Sequence, residues 1–146
     1  MKLCFIDTNV IVYANDRDAG DKQNQAIEII ETLIRNQNAV ISLQVMQEYA
    51  NVALGKLEQD PGVVMRQLRL LNSIQIQFPE DNLVFRQIEI KGAYGVSFWD
   101  AGIIALAEKS NCDVILSEDF NDGQLYAGIE MVNPFKAEFE IGEYID

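Results

Sequence analysis

Four acidic residues scattered along the chain, Asp7, Glu48, Asp100 and Asp119, are the ones whose types and spacing could do chemistry together. Asp7 ends the apolar run Leu3-Cys4-Phe5-Ile6, the pattern of a strand covered on both faces. Such a strand delivers its terminal carboxylate to the carboxyl edge of a sheet, where open parallel sheets bind ligands. Asp119 lies just past a second run of this kind, Val114-Ile115-Leu116. Glu48 and Asp100 fall early in helical segments that begin near the same edge, Asp100 within the capping-box-like Ser97-Phe98-Trp99-Asp100. Two carboxylates ~5 Å apart repel by roughly 3 kcal/mol at an effective dielectric near 20. Four of them raise one another's pKa values or demand a cation. Carboxylate oxygens suit Mg²⁺ or Mn²⁺, and such an ion can activate water and stabilise a developing phosphoryl charge. Taken singly, each acid has a plainer reading: a helix cap for Asp7 or Asp100, a turn residue for Asp119, a solvated helix position for Glu48. Their joint placement at one edge favours a shared pocket.

Composition narrows the chemistry further. The chain has no histidine, which excludes Ser-His-Asp, Cys-His and histidine acid–base mechanisms. Its two cysteines, Cys4 and Cys112, sit at positions read as buried and do not suggest zinc or a disulfide framework. Hydrolytic chemistry would therefore run on carboxylates and a hard cation. The net charge of −12 is unevenly spread: residues 92–146 carry 2 basic and 11 acidic residues, and residues 56–91 carry 5 of each. An acidic surface repels nucleic acid on average, so a polyanionic substrate would need metal ions and a local basic patch. Among Arg17, Lys22, Lys56, Arg66, Arg69, Arg86 and Lys91, the balanced stretch singles out Arg66, Arg69 and Lys91 as phosphate contacts. No apolar run approaches the ~20 residues of a membrane span, and the first residues lack the apolar region of a signal peptide. The expectation is a cytoplasmic protein with no membrane association.

The elements that must position these residues alternate along the chain. Strands are expected over 2–6, 39–41, 74–78, 113–117 and 129–132. Helices are expected over 9–14, 22–37 (capped by Asp21), 43–57 (capped by Ser42), 62–73, 81–92 and 98–110, with Gly92 and Gly95 bracketing a turn. The last helix is apolar nearly all round, as in a buried helix. The tail, 135–146, has no assigned element. This alternation is that of a three-layer α/β/α fold around a mostly parallel sheet of about 4–5 strands. With no repeat, low-complexity segment or linker, residues 1–146 are expected to form a single domain.

The chain resembles the PIN domain family, and more narrowly the VapC-type toxins of bacterial toxin–antitoxin pairs. The likeness is carried by Phe5-Ile6-Asp7-Thr8-Asn9, Gln47-Glu48-Tyr49, Phe98-Trp99-Asp100-Ala101, Leu116-Ser117-Glu118-Asp119-Phe120 and Val132-Asn133-Pro134-Phe135, in order over residues 3–135. The resemblance implies a PIN-like fold and a Mg²⁺- or Mn²⁺-dependent endoribonuclease that hydrolyses RNA phosphodiester bonds. Asp7, Glu48, Asp100 and Asp119 would be its metal-binding acids. Thr8, Asn9 and Ser117 would position them, with Asp122 assisting from further out. It also implies a homodimer and a cognate antitoxin; an acidic groove would favour an antitoxin segment carrying Arg or Lys.

Other readings are a catalytically inactive PIN-like interaction module and, less favoured, a Mg²⁺-dependent phosphatase or a receiver-like domain. A haloacid-dehalogenase-type phosphatase needs a second Asp where Asn9 stands. A receiver needs an Asp after a middle strand, where Pro79-Glu80 stand, and a Lys after a late one, where Asn133-Pro134 stand. Asp119 to Gly123 also loosely matches a calcium loop, but Gln124 occupies the position of its glycine.

Overall fold

The structure is a computed structural model and describes residues 1–145. Strand β1 (Cys4–Ile6) lies inside the sheet between β2 (Ala39–Ser42) and β4 (Val114–Leu116), parallel to both. Beyond β2 lies β3 (Gln75–Gln77), and beyond β4 lies β6 (Ile129–Val132), again parallel. A two-residue strand, β5 (Leu125–Tyr126), pairs antiparallel on the outer side of β6. The order is β3-β2-β1-β4-β6-β5. Every residue of β1, β2 and β4 is buried, as strands are when helices cover both faces of a sheet. The fold is thus three-layered α/β/α, with α1 (Thr8–Ala14), α2 (Asp21–Arg35), α3 (Leu43–Leu54), α4 (Pro61–Leu70), α5 (Leu83–Tyr94) and α6 (Phe98–Lys109) around the sheet.

The sheet is one strand larger than the 4–5 expected. The extra strand comes from a hairpin whose turn is Ala127-Gly128, with φ of 50° and 80°. Two consecutive positive φ values match the right-handed twist of a tight hairpin. Helix ends also differ from expectation. Gly95, at φ 70°, closes α5, so Gly92 lies inside the helix rather than at its end. Gly20, at φ 64°, precedes α2, so Asp21 is its first residue and not its cap. Helix α3 stops at Leu54 before Gly55, and α4 ends at Leu70 in a 3₁₀ turn, Leu71–Ser73. The acidic tail carries a 3₁₀ turn, Ile141–Tyr144. The Tyr144 carbonyl accepts from the Lys2 backbone N–H at 3.0 Å and from Asn38 Nδ2 at 3.0 Å, which fastens the tail at the start of β1 and β2.

The topology prepares one place for a ligand. The chain builds the sheet outward from β1 through β2 to β3, then crosses back and continues on the other side with β4 and β6. The order therefore reverses between β1 and β4, and a crevice opens at their carboxyl ends. Ile6 pairs with Leu116 at the last register position, so the next residues, Asp7 and Ser117, stand side by side at that crevice. Phe5, Ile6, Ile115 and Leu116 are fully buried, each contributing roughly 2 kcal/mol. These packed strands form a rigid base beneath the two polar residues.

Candidate active site

Asp7 is only 5% exposed. Its Oδ1 accepts from the Thr8 backbone N–H at 2.8 Å, which caps α1. Its Oδ2 accepts from the Ser117 hydroxyl at 2.6 Å and, more loosely, from Asn9 Nδ2 at 3.4 Å. The same carboxylate thus caps a helix with one oxygen and faces the β1–β4 crevice with the other. Burial pushes the Asp7 carboxyl up to about 6, the Ser117 and Thr8 hydrogen bonds oppose this, and the negative charges of Glu48 and Asp119 add to it.

Asn9, in the first turn of α1, ties the two strand ends together. Its Nδ2 donates to Ser117 Oγ at 3.0 Å and to Asp119 Oδ2 at 3.2 Å, while its Oδ1 accepts from the Glu118 backbone N–H at 3.2 Å. The Asp119 N–H donates to Ser117 Oγ at 3.1 Å. On the other side of Asp7, the Thr8 hydroxyl donates to Glu48 Oε2 at 3.3 Å. Glu48 rides on α3, which Ser42 caps at the end of β2 through Val45 N–H at 3.2 Å. Gln44, one turn earlier, donates through Nε2 to Glu48 Oε1 at 2.6 Å and to the Trp99 carbonyl at 3.0 Å, joining α3 to the start of α6. There Ser97 caps α6 by accepting from the Asp100 N–H at 3.0 Å. Burial raises the Asp100 carboxyl above its ordinary range, the Ser97 hydroxyl opposes this, and the charge of Asp119 adds to it. Hydrogen bonds and mutual charge therefore link all four acids.

Among the described residues these four acids take part in no ion pair. The cations that do form ion pairs pair elsewhere: Lys22 with Glu118, Arg86 with Glu89 and Glu108, Lys109 with Glu80, Lys136 with Asp122. An all-oxygen, negative donor set without a counter-ion has the chemistry that Mg²⁺ or Mn²⁺ takes. The set is open. Among the described residues no three Asp, Glu or Cys side chains are gathered closely enough to hold an ion. The residues fit a hard cation in kind, without being drawn up around one point.

The other expected residues separate into those that join this network and those that do not. Thr8, Asn9 and Ser117 are in it. Asp122 is engaged elsewhere: its Oδ1 accepts from the Asn133 N–H at 2.7 Å and its Oδ2 from Lys136 at 2.9 Å, past the end of β6. Arg66 and Arg69 lie on the exposed face of α4. Lys91 donates to the Val96 carbonyl at 3.2 Å, in the turn between α5 and α6. Sequence reasoning missed Gln44, whose one signal is its i, i+4 spacing from Glu48. It also missed Tyr13 and Glu118, and had Lys22 only among the wider set of cations that could meet phosphate. The Lys22 ammonium pairs with Glu118 and lies 4.9 Å from the Tyr13 ring centroid, and the Tyr13 hydroxyl donates to Glu118 at 2.6 Å. A cavity of about 710 Å³ lies away from the four acids. It lies between the α1–α2 and α3–α4 turns, lined by Arg17, Lys56, Glu58 and Asp60 among others. Its mixed charges gather no chemistry comparable to that of the four acids.

The family model of the PIN domain matches residues 4–125. The fold is similar to that of a toxin–antitoxin complex from Klebsiella pneumoniae, with a TM-score of 0.68 and 20% identity over 91% of this chain and 98% of that one. It is similar also to the sarcin-ricin-loop-cleaving VapC toxin of Mycobacterium tuberculosis, at 0.65 and 16% over 87% and 98% of the two chains. VapBC-1 from nontypeable Haemophilus influenzae gives 0.64 and 19% over 91% and 98%. No curated protein matches the chain by sequence.

Proposed function

We propose, from the premise that this chain belongs to the PIN domain family, that it is a metal-dependent endoribonuclease of the VapC toxin kind. The observation that carries the reading is Asp7: a buried carboxylate at the topological switch point, pushed up to about 6 by burial and by Glu48 and Asp119. A fold keeps such an unfavourable cluster where something binds to it.

Asp7, Glu48, Asp100 and Asp119 would hold Mg²⁺ or Mn²⁺. When bound, the ion would supply a nucleophilic water at neutral pH and offset charge on the scissile phosphate of RNA. Ser117 and Asn9 hold Asp7 Oδ2 and Asp119 in one orientation, and Thr8 does the same for Glu48. With both charged and neutral hydrogen bonds in place before substrate arrives, the acids need little reorganisation. The whole chain acts as one domain, in the cytoplasm, as a homodimer. The solved relatives are toxins of toxin–antitoxin pairs, so a cognate antitoxin is the partner proposed here. Its docking segment carries Arg or Lys to meet the unpaired acids.

The test is cleavage of a mixed single-stranded RNA pool by the purified, antitoxin-free chain with Mn²⁺ or Mg²⁺, against EDTA, with Asp7→Asn and Asp100→Asn in parallel. Metal-dependent cleavage lost in both variants supports the reading. The open spacing of the acids favours one rival, a metal-free interaction module. Calorimetric titration with Mn²⁺ separates the two, because the module has no use for an ion and tolerates loss of the carboxylates.

A further inference from the structure

We propose that Trp99 is a stacking platform for an unpaired RNA base, and that Lys91 takes a neighbouring phosphate. This inference rests on the ribonuclease reading and deepens it. The difficulty it resolves is electrostatic. The four acids repel a phosphate backbone, and Lys22 and Lys136 are paired with other carboxylates, Glu118 and Asp122. A base presents a neutral π-face, so an aromatic ring can hold RNA beside carboxylates where a row of lysines is absent.

The geometry supplies such a ring. Trp99 precedes Asp100 directly and is 67% exposed. The backbone that carries it is held in place. Its backbone carbonyl accepts from Gln44 Nε2, the nitrogen that also bonds Glu48, so the Trp99 backbone lies two hydrogen bonds from a site carboxylate. Its edge-to-face partner is Phe98, with centroids 5.3 Å apart and planes at 81°. Phe98 is fixed in turn through its carbonyl, which accepts from Gln87 Nε2 at 2.7 Å. One helical turn along α5 from Gln87, exposed Lys91 reaches the Val96 carbonyl, just ahead of the α6 cap. Lys91, through its contact to Val96, Trp99 and Asp100 are thus brought to the α5–α6 turn and the start of α6. The contact is sequence-tolerant and requires an unpaired base, so the substrate class is single-stranded or looped RNA rather than duplex.

Trp99 is the chain's one tryptophan, so its emission reports directly. The experiment titrates the full chain with a mixed-sequence single-stranded RNA pool in EDTA, following Trp99 emission, and with a duplex of equal length as control. Binding is then measured by anisotropy of a labelled strand for Trp99→Leu, Trp99→Phe and Lys91→Gln, and cleavage with Mn²⁺ is run on each. Expected are quenching by the single strand and not the duplex, and a loss of affinity of about tenfold in Trp99→Leu, largely restored in Trp99→Phe. Lys91→Gln binds a few-fold more weakly with a shallower salt dependence. In cleavage, Trp99→Leu raises KM and leaves kcat near that of the unaltered chain. If the unaltered chain cleaves RNA while Trp99→Leu binds and cleaves equally well, the platform is overturned and the ribonuclease reading stands. If the unaltered chain neither binds nor cleaves RNA with any metal, both fall. If Trp99→Leu turns a dimer into a monomer by light scattering, Trp99 belongs to a contact between copies and the platform is overturned.

Discussion

Asp119 and Asp122 lie three residues apart on one loop, yet they belong to opposite electrostatic regimes. Asp122 is compensated. The Asn133 N–H and the Lys136 ammonium hold its carboxyl below the usual range, and it fastens the loop to the end of β6. Asp119 faces Asn9, and its charge is one of the causes that raise the buried Asp7 carboxyl to about 6. The fold had both a backbone N–H and a lysine to offer an acid in this region, and gave them to Asp122. Uncompensated charge at the crevice is therefore selective, not a by-product of an acidic composition. A charge kept at a cost to stability points to a role in binding or catalysis.

The sharpest way to break that contrast is to neutralise one acid of each kind. Asp7→Asn and Asp100→Asn are each expected to lower metal-dependent RNA cleavage by roughly a thousandfold or more, since each removes a group without a substitute. Asp122→Asn is expected to leave the rate within about threefold, because its contacts are structural. Initial rates on one RNA pool at saturating Mn²⁺ measure all three. An Asp122→Asn rate as low as that of Asp7→Asn would erase the distinction.

Metal affinity sharpens it next. A cation competes with the proton on Asp7, so affinity for Mn²⁺ should climb as pH rises from 5 toward 7 through the value of about 6, by about tenfold. Isothermal titration at a series of pH values checks this, and Asp7→Asn should flatten the dependence. The metal-free protein should show the reverse in stability. The folded value for Asp7 lies above the unfolded value of 3.8, so the folded state binds more protons between the two. Unfolding free energy then falls as pH rises from about 4 to about 6 and levels off above. Over that window the Asp7 contribution is on the order of 2 kcal/mol. At pH 7 and without metal, Asp7→Asn should therefore be more stable by about 1 kcal/mol, less than the full amount because Asn accepts the Ser117 hydrogen bond more weakly. Asp122→Asn should be less stable by about 0.5–1 kcal/mol, the ordinary effect of losing an exposed ion pair and weakening a backbone contact. Urea denaturation with EDTA present reads both signs.

Much of this arrangement was legible in the sequence because it depends on where apolar runs stop. Residues 4–6 and 114–116 are uninterrupted and buried, and the polar residue after each had to emerge at the sheet edge. The caps Ser42 and Ser97 were legible for a similar reason, since a short hydroxyl before an apolar helix has few other uses. The hairpin at Ala127-Gly128 was hidden because alanine rarely takes a positive φ and two residues are too few for a period. Gly92 misled because glycine ends a helix only where the backbone turns left-handed, and here Gly95 does so. Within the site, carboxylates could be placed by their elements, but their supports could not. Lys22 and Glu118 are 96 residues apart, and no local pattern joins them. Asp122 was expected from the family resemblance to assist from further out, but its carboxylate is taken up by Asn133 and Lys136.

The smallest effect tests how far the compensated regime reaches toward the site. Glu118 stands between Ser117 and Asp119, its N–H bound to Asn9 and its carboxylate held by Tyr13 and Lys22. It touches none of the four acids directly, so its influence must pass through the loop that carries Asp119. Glu118→Gln keeps an acceptor for Tyr13 and discards the ion pair with Lys22. Because both partners are partly exposed, the cost to stability should stay near 0.5 kcal/mol. The rate should fall by about three- to tenfold, as small displacements of a positioned group do. Lys22→Met should give the same loss, and the double variant no more than either alone, since the two residues act through one contact. Equal and independent losses would mean that Lys22 acts on RNA itself. Loss of stability without loss of rate would confine the pair to the scaffold, and the boundary between the two regimes would then fall between Glu118 and Asp119.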